Sequence, residues 1–169
     1  MHRGLLHKLL LSLVGFFAGI PFLWAQPAND LCTAAQVLTV QVGTCTSPFY
    51  TNVAATTTGN PATPACWNPA TMSNTVWFSF IATAADVEIS TNFGGTLADT
   101  QIAVYSGTCG ALNLLACQED VNTIRGLLNN DVILHGLTLG NTYYIAIDGN
   151  GNQTDRCTPN QECAEDAFR

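Results

Sequence analysis

Acidic side chains stand at both ends of a predicted hairpin, in the stretch ADTQIAVYSGTCGALNLLACQED. Asp99 precedes its first strand, and Glu119 and Asp120 follow its second. Because an antiparallel pair brings the start of one strand and the end of the next to the same edge, we expect these carboxylates to lie together. Carboxylate oxygens are the hard ligands that Ca²⁺ prefers, so this spacing predicts a calcium site.

A second group of oxygen-bearing side chains follows the last predicted strand, in the stretch DGNGNQTD. Asp148 begins this stretch, and side chains with oxygen atoms recur at positions 150, 152 and 155 around glycines. The stretch lacks the bidentate Glu that closes an EF-hand loop, but it makes Asp148 a further candidate calcium ligand. Asp, Asn and Gly are also the usual residues of turns, so the alternative that these acids are merely solvated turn residues stays open.

Residues with catalytic potential are scarce beyond the first 25 positions. His135 is the only histidine there, lysine is absent, and no serine stands in a nucleophile elbow. A Ser-His-Asp triad and a Ser-Lys pair therefore find no support. The sequence contains no C-x-x-C pair for zinc, and nothing fixes two acids at the spacing of a glycosidase. We expect a protein that is not an enzyme, with His135 as an ordinary sheet residue.

An aromatic residue in a loop offers a different kind of site. Trp67 lies in PACWNPA, where a cysteine and two prolines restrain the chain. An exposed ring in such a loop can stack on a sugar or enter a pocket of a partner, which makes Trp67 a candidate binding residue. The alternative is that the ring covers one end of the protein core.

The first 25 residues have the pattern of a secretory signal peptide. Arg3 and Lys8 give a basic start, an apolar run extends from Leu9 to Leu23, and Ala25 suits a signal peptidase. The run is shorter than the ~20 residues of a spanning helix and is interrupted by glycine and proline. We expect cleavage after Ala25, no membrane insertion afterwards, and a protein that is secreted or held at the cell surface.

The charge that remains after cleavage disfavours polyanionic partners. Three arginines stand against twelve acids, which is a formal charge of −9. A chain of this charge is repelled by phosphate backbones and anionic lipids, so we expect no binding to nucleic acid.

All seven cysteines follow the predicted signal peptide, and an exported chain meets oxidising conditions. We therefore expect disulfides, with one cysteine left over. A hairpin can bring its two cysteines to the Cα separation of about 4.4–6.8 Å that a disulfide needs. The expected pairs are Cys109–Cys117, Cys157–Cys163 and Cys45–Cys66, which leave Cys32 unpaired.

Alternating apolar residues predict seven or eight short strands, spaced about ten residues apart, and no segment has a helical period. The strands are expected at Leu38–Val42, around Tyr50–Thr57, from Asn74, from Asp86, at both arms of the cysteine hairpin, from Asp131 and at Tyr143–Asp148. This pattern is typical of an all-β, antiparallel β-sandwich in one disulfide-tied domain. We assign residues 26–155 to this domain and residues 156–169 to a polar tail with two cysteines.

Four motifs resemble a known family when taken in order: NDLC, NTVWFSF, ADTQIAVYSGTCGALNLLACQED and LTLGNTYYIAIDG. Together they resemble secreted bacterial β-sandwich modules related to the pre-peptidase C-terminal domain, and DTQIAVYSG is similar to the CUB sandwich. The resemblance spans residues 29–149 and implies a jelly-roll or CUB-like fold. The chain departs from the family at its end, where a polar tail replaces the closing strand.

The resemblance also implies a function. Members of this family accompany proteases, adhesins and other secreted modules and are not themselves catalytic. We therefore expect a non-catalytic accessory or adhesion module that binds a glycan or an extracellular protein, with calcium as its only candidate cofactor. The alternative is an accessory domain of a larger secreted hydrolase, a protease or glycosidase, whose catalytic part lies outside this chain.

Overall fold

The structure is a computed structural model, and it describes residues 25–43, 50–68, 71–91, 99–120 and 130–154. Residues 1–24 of the predicted signal peptide lie outside these ranges. The same holds for Cys45 and for the tail that carries Cys157 and Cys163, so the predicted pair Cys157–Cys163 lies outside the described residues.

The described residues form seven β-strands and no α-helix, which confirms an all-β protein. The strands are β1 (Gln36–Leu38), β2 (Val76–Ile81), β3 (Val87–Ser90), β4 (Thr100–Thr108), β5 (Ala111–Gln118), β6 (Asp131–Leu134) and β7 (Thr142–Gly149). Short 3₁₀ turns occur at Cys32–Ala34 and Asn150–Asn152. In the part of the chain that is described, no helix has the length and apolarity needed to cross a membrane.

Two sheets make up the fold. One has five strands in the order β1-β2-β7-β4-β5, and the other consists of β3 and β6. All pairs are antiparallel except β1 and β2, which run parallel. The prediction of a purely antiparallel fold is therefore wrong at β1, where a long connection gives the chain room to return in the same direction.

The strands predicted from Asn74 onward are confirmed, but the first part of the chain differs. The first strand covers Gln36–Leu38 rather than Leu38–Val42, and residues 50–57 contain no strand. A turn joins Asn52 to Ala55 through a backbone hydrogen bond of 3.1 Å, and Ala54 has a positive φ of 64°. This backbone cannot continue an extended strand, which explains why the predicted strand is wrong.

The main core lies between the two sheets, because strands β2, β4 and β7 alternate their side chains between two faces. On the inner face the apolar residues of these strands meet Val87 and Ile89 of β3 and Val132 and Leu134 of β6. The core residues from the larger sheet are Val76, Phe78, Phe80, Ile102, Val104, Tyr143, Ile145 and Ile147.

A second, smaller core covers part of the opposite face of the five-stranded sheet. Trp77, Ala103 and Ala146 lie there beneath Cys32 and Trp67. Asn29 fixes the covering segment to β2, because its side-chain amide donates to the carbonyl of Trp77 at 3.0 Å and its carbonyl accepts from the Trp77 N–H at 2.8 Å. The NDLC motif thus holds the covering segment beside the start of β2.

We call the segments around Cys32 and Trp67 the cover. Two disulfides tie the cover to the β4–β5 hairpin. Cys32 is bonded to Cys109 with a Cα–Cα distance of 5.6 Å, and Cys66 to Cys117 with 6.2 Å. The predicted pairs Cys109–Cys117 and Cys45–Cys66 are therefore wrong.

The geometry of the hairpin explains the first of these errors. Cys109 lies in the turn, whereas Cys117 lies far along β5 opposite Ala103. Six residues of extended strand between Ala111 and Cys117 span about 20 Å, several times the reach of a disulfide.

We predict that a non-reduced peptide map of the oxidised protein links Cys32 to Cys109 and Cys66 to Cys117. These bridges close long loops, with sequence separations of 77 and 51 residues. Replacing Cys66 and Cys117 together by serine should lower the free energy of unfolding by about 3–4 kcal/mol, measured by urea denaturation. A peptide that links Cys109 to Cys117 would contradict this arrangement.

Candidate functional site

Trp67 is part of the cover and is not exposed. Its side chain is 2% accessible, and its indole N–H donates to the carbonyl of Ile102 at 3.1 Å. The disulfide between Cys66 and Cys117 holds the loop against β5. The prediction that Trp67 is an exposed binding residue is wrong, and the alternative that it covers the core is correct.

Beside the cover, a row of residues on this sheet face is accessible at its two edges and partly accessible at Tyr144, whereas Ser79 and Tyr105 are buried. Val37, Ser79, Tyr144, Tyr105 and Leu114 are neighbours in that order across β1, β2, β7, β4 and β5. Val37 and Leu114 at the two edges are 66% and 46% accessible, and Tyr144 in the middle is half-buried.

Ile81, two residues beyond Ser79 on the same face of β2, is 53% accessible. We call this area, around Val37, Ser79, Ile81, Tyr144 and Leu114, the open face.

A cavity of about 360 Å³ opens on the open face, next to the edge of the cover. Its lining residues are Cys32, Thr33, Ala35, Ser79, Cys109 and Tyr144. The Cys32–Cys109 disulfide forms one wall, and Ser79 and Tyr144 form the floor as directly paired residues of β2 and β7. None of the lining side chains carries a charge, so the cavity suits a neutral ligand.

Tyr105 lies beside Tyr144 in the same row, but it is buried. Its side chain is 3% accessible and contacts Trp77, with ring centroids 5.8 Å apart. Its hydroxyl is buried and has no hydrogen-bond partner among the described residues. Burial raises the pKa of Tyr105 to about 12, so the hydroxyl stays protonated and can donate a hydrogen bond at neutral pH.

At the other end of the sheet, the structure brings Asp99, Glu119 and Asp120 together. The side-chain amide of Asn150 donates to Asp99 Oδ2 at 3.3 Å and to Glu119 Oε1 at 3.1 Å. The backbone N–H of Asn68 donates to the other oxygen of Glu119. We call Asp99, Glu119 and Asp120 the acidic end.

The carboxylates of the acidic end repel one another and are partly desolvated. Burial raises the pKa of Asp99; the hydrogen bond from Asn150 opposes this, and the charge of Asp120 adds to it. Burial also raises the pKa of Glu119. The hydrogen bond from Asn68 lowers this pKa, and the charges of Asp120 and Asp99 raise it further.

Two oxygens of the acidic end have no hydrogen-bond partner among the residues that the structure describes. They are Asp99 Oδ1 and Asp120 Oδ1, and both are buried. Nevertheless, no three metal-ligating side chains in the described ranges are arranged as a ready metal site.

Asp148 does not join the acidic end in this arrangement. It is fully buried, and its carboxylate accepts hydrogen bonds from the backbone N–H groups of Ser73, Asn74 and Gly149 and from the Thr75 hydroxyl. Burial raises its pKa, while these hydrogen bonds act in the opposite direction. The carboxylate thus fixes the segment that leads into β2.

His135 lies just after β6 at the surface. Its Nδ1 is 3.0 Å from Asp86 Oδ1, and both side chains are largely exposed.

Sequence reasoning missed Ser79, Tyr144 and Asn150. The alternation in TYYIAIDG placed Tyr144 on the face opposite Tyr143, and this signal could have identified it. Nothing in the sequence indicated that the cover would end beside it. Asn150 was noted only as a possible oxygen donor for calcium, whereas its amide nitrogen bridges two acids.

No family model matches the chain, and neither the curated proteins nor the solved structures contain a significant match to it.

The acidic end should make the protein less stable as the pH rises. The pKa values of Asp99 and Glu119 are raised in the folded state, so protonation of these two groups favours folding. This stabilisation is complete below about pH 4 and is lost as the pH rises through the raised pKa values. We predict that Asp120→Asn raises the melting temperature more at pH 7 than at pH 4. Glu88→Gln on the smaller sheet is the control, and an Asp120→Asn effect that is equal at both pH values would contradict the prediction.

Asp148 should be important for stability. Replacing it by Asn removes the charge that four donors share and turns an amide N–H₂ toward them. We expect Asp148→Asn to lower the free energy of unfolding by about 3 kcal/mol, measured by urea denaturation. Asp86→Asn, which changes an exposed acid, should change it by no more than about 0.5 kcal/mol. Similar midpoints for the two variants would show that the buried hydrogen bonds contribute little.

Proposed function

We propose that this protein is a non-catalytic extracellular binding module, and that its binding surface is the open face. The observation that carries the proposal is the uncharged cavity of about 360 Å³ over Ser79 and Tyr144. Its ligand is a glycan or an extracellular protein.

The construction of the open face supports this proposal. A paired set of residues on two central strands, Ser79 and Tyr144, and the Cys32–Cys109 disulfide line its cavity. Groups that are held in place before binding lose little conformational entropy when a ligand arrives. The accessible apolar residues Val37, Ile81 and Leu114 lie on the same sheet face and supply area that a partner can bury.

The setting of the module follows from its covalent chemistry. Two disulfides indicate an oxidising environment. Within the all-β class, we propose that the two sheets correspond to a jelly-roll or CUB-like sandwich of the pre-peptidase C-terminal type. The proposed location is the extracellular medium or the cell surface.

The proposal predicts that substitutions on the open face abolish binding. Leu114→Asp places a charge at the edge of this face without entering a core, and Ile133→Asp is the matched control. Ile133 is also an exposed strand residue, 60% accessible, but it lies on the smaller sheet. We expect Leu114→Asp to weaken binding about tenfold or more and Ile133→Asp to leave it unchanged, because a desolvated charge is costly in an interface.

The measurement is binding of the oxidised protein to a glycan array and, by surface plasmon resonance, to a panel of purified extracellular proteins. If nothing binds in either format, the function as a binding module is wrong. If both variants bind like the unaltered protein, the surface is wrong.

We further propose that Ca²⁺ stabilises the acidic end. Three neighbouring carboxylates support this proposal, and two of them have a buried oxygen that lacks a hydrogen-bond partner within the described part of the chain. Since Ca²⁺ takes six to eight oxygen ligands, water and main-chain carbonyls would complete its coordination. The Asn150 amide would have to turn away from Asp99 and Glu119, because its N–H₂ group occupies the space between them.

Calcium should therefore raise the melting temperature. Binding to the folded state alone adds about 2.7 kcal/mol when free Ca²⁺ is a hundredfold above its dissociation constant. We expect millimolar Ca²⁺ to raise the melting temperature relative to chelator, and Asp120→Asn to remove most of the rise while Asp86→Asn preserves it. Identical melting curves in Ca²⁺ and chelator would show that the acidic end holds no calcium.

A further inference from the structure

We propose that the cavity on the open face binds one neutral sugar ring of a glycan, which stacks on Tyr144 and is hydrogen-bonded by Thr33 and Ser79. This inference rests on the proposed function and names the class of ligand for the same surface.

The charge distribution favours a neutral ligand. The chain carries twelve acids against five basic residues, yet no lining residue of the cavity is charged. Asp99 of the acidic end directly precedes β4, and Tyr105, the residue paired with Tyr144, lies six residues further on, which corresponds to about 20 Å along the strand. This exceeds the Debye length of about 8 Å at physiological ionic strength, so the acidic end exerts little force at the cavity. A cation has a better site at the acidic end, and an anion finds no positive partner in the cavity.

The chemistry of the lining matches a sugar ring. A pyranose ring has an apolar C–H face and hydroxyl groups at its edge, and the cavity offers one aromatic ring and two aliphatic hydroxyls. Tyr144 is half-buried, so its ring remains accessible from the cavity. Aromatic rings combine a large apolar surface with a polar tip. The hydroxyls of Thr33 and Ser79 can each donate and accept, as the hydroxyls of a sugar do.

The shape of the cavity suits one ring of a longer glycan. It has a volume of about 360 Å³ and is widely open to solvent. Because it lies open on the sheet face, the remainder of a glycan can continue outward between Val37 and Ile81.

The test is titration of the oxidised protein with methyl glycosides of glucose, galactose, mannose and N-acetylglucosamine, and with neutral oligosaccharides, followed by ¹H–¹⁵N NMR. Glucuronic acid serves as the anionic comparison. We expect at least one neutral sugar to shift signals of Ser79 and Tyr144, and glucuronic acid to shift neither.

Three variants distinguish a stacking site from a general structural effect. Tyr144→Ala should weaken binding about tenfold, whereas Tyr144→Phe should largely preserve it because the ring remains. Ser79→Ala should weaken it about threefold through one lost hydrogen bond. Ile133→Ala is the control for all of them.

Each outcome decides the inference. It is overturned if no neutral sugar shifts the cavity signals, or if Tyr144→Ala binds as tightly as the unaltered protein. If sugars fail but an extracellular protein binds and Leu114→Asp abolishes that binding, the sugar assignment falls while the proposed function remains. If no ligand of either class binds the open face, both fall.

Discussion

The covalent attachment of the cover to the β4–β5 hairpin is the constraint on which the rest of the structure depends. The covering segments contain only a 3₁₀ turn and the loop of Trp67, so few backbone hydrogen bonds hold them. Without the two disulfides, the entropy of these long connections would oppose their ordering. The bridges place Trp67 on one half of the sheet face and leave the other half accessible. The open face therefore exists because the cover is fixed where it is.

The five-stranded sheet has two chemically different regions. β4 and β7 are antiparallel, so the end of β7 at Asp148 and Gly149 meets the start of β4 at Thr100. Charge is concentrated at this end, where Asn150 bridges two carboxylates. The middle of the same strands carries Tyr105 and Tyr144, with no charge in the adjoining cavity. A neutral ligand and a cation would thus each have a region of the sheet without competing for it.

Buried polar groups have opposite roles at neighbouring positions. The carboxylate of Asp148 is buried but receives four donors, which makes it a structural anchor for the segment before β2. Oxygens of Asp99 and Asp120 and the hydroxyl of Tyr105 are buried without such partners among the described residues. Proteins pair most of their buried polar groups, so the unpaired oxygens of the acidic end are where a cation gains most.

Much of the fold was predictable because its signals are local. Alternation in NTVWFSF placed Phe78 and Trp77 on opposite faces of β2, and the structure has them in two different cores. The meeting of Asp99 with Glu119 and Asp120 also followed from the sequence, since an antiparallel hairpin fixes which ends are adjacent. What the acids bind did not follow, because the position of the Asn150 amide depends on the path of the chain after β7.

Local patterns in the sequence were thus enough to predict the all-β class, the strands from β2 to β7, and the presence of disulfides. The disulfide partners, the parallel pairing of β1, the burial of Trp67 and the location of the cavity became known only from the folded chain. The difference lies in the range of the interactions. Strand periodicity and hairpin geometry act over a few residues, whereas Cys32 and Cys66 reach partners 77 and 51 positions away through irregular chain. Such contacts are set by how loops pack on a finished sheet, and no local pattern encodes that packing.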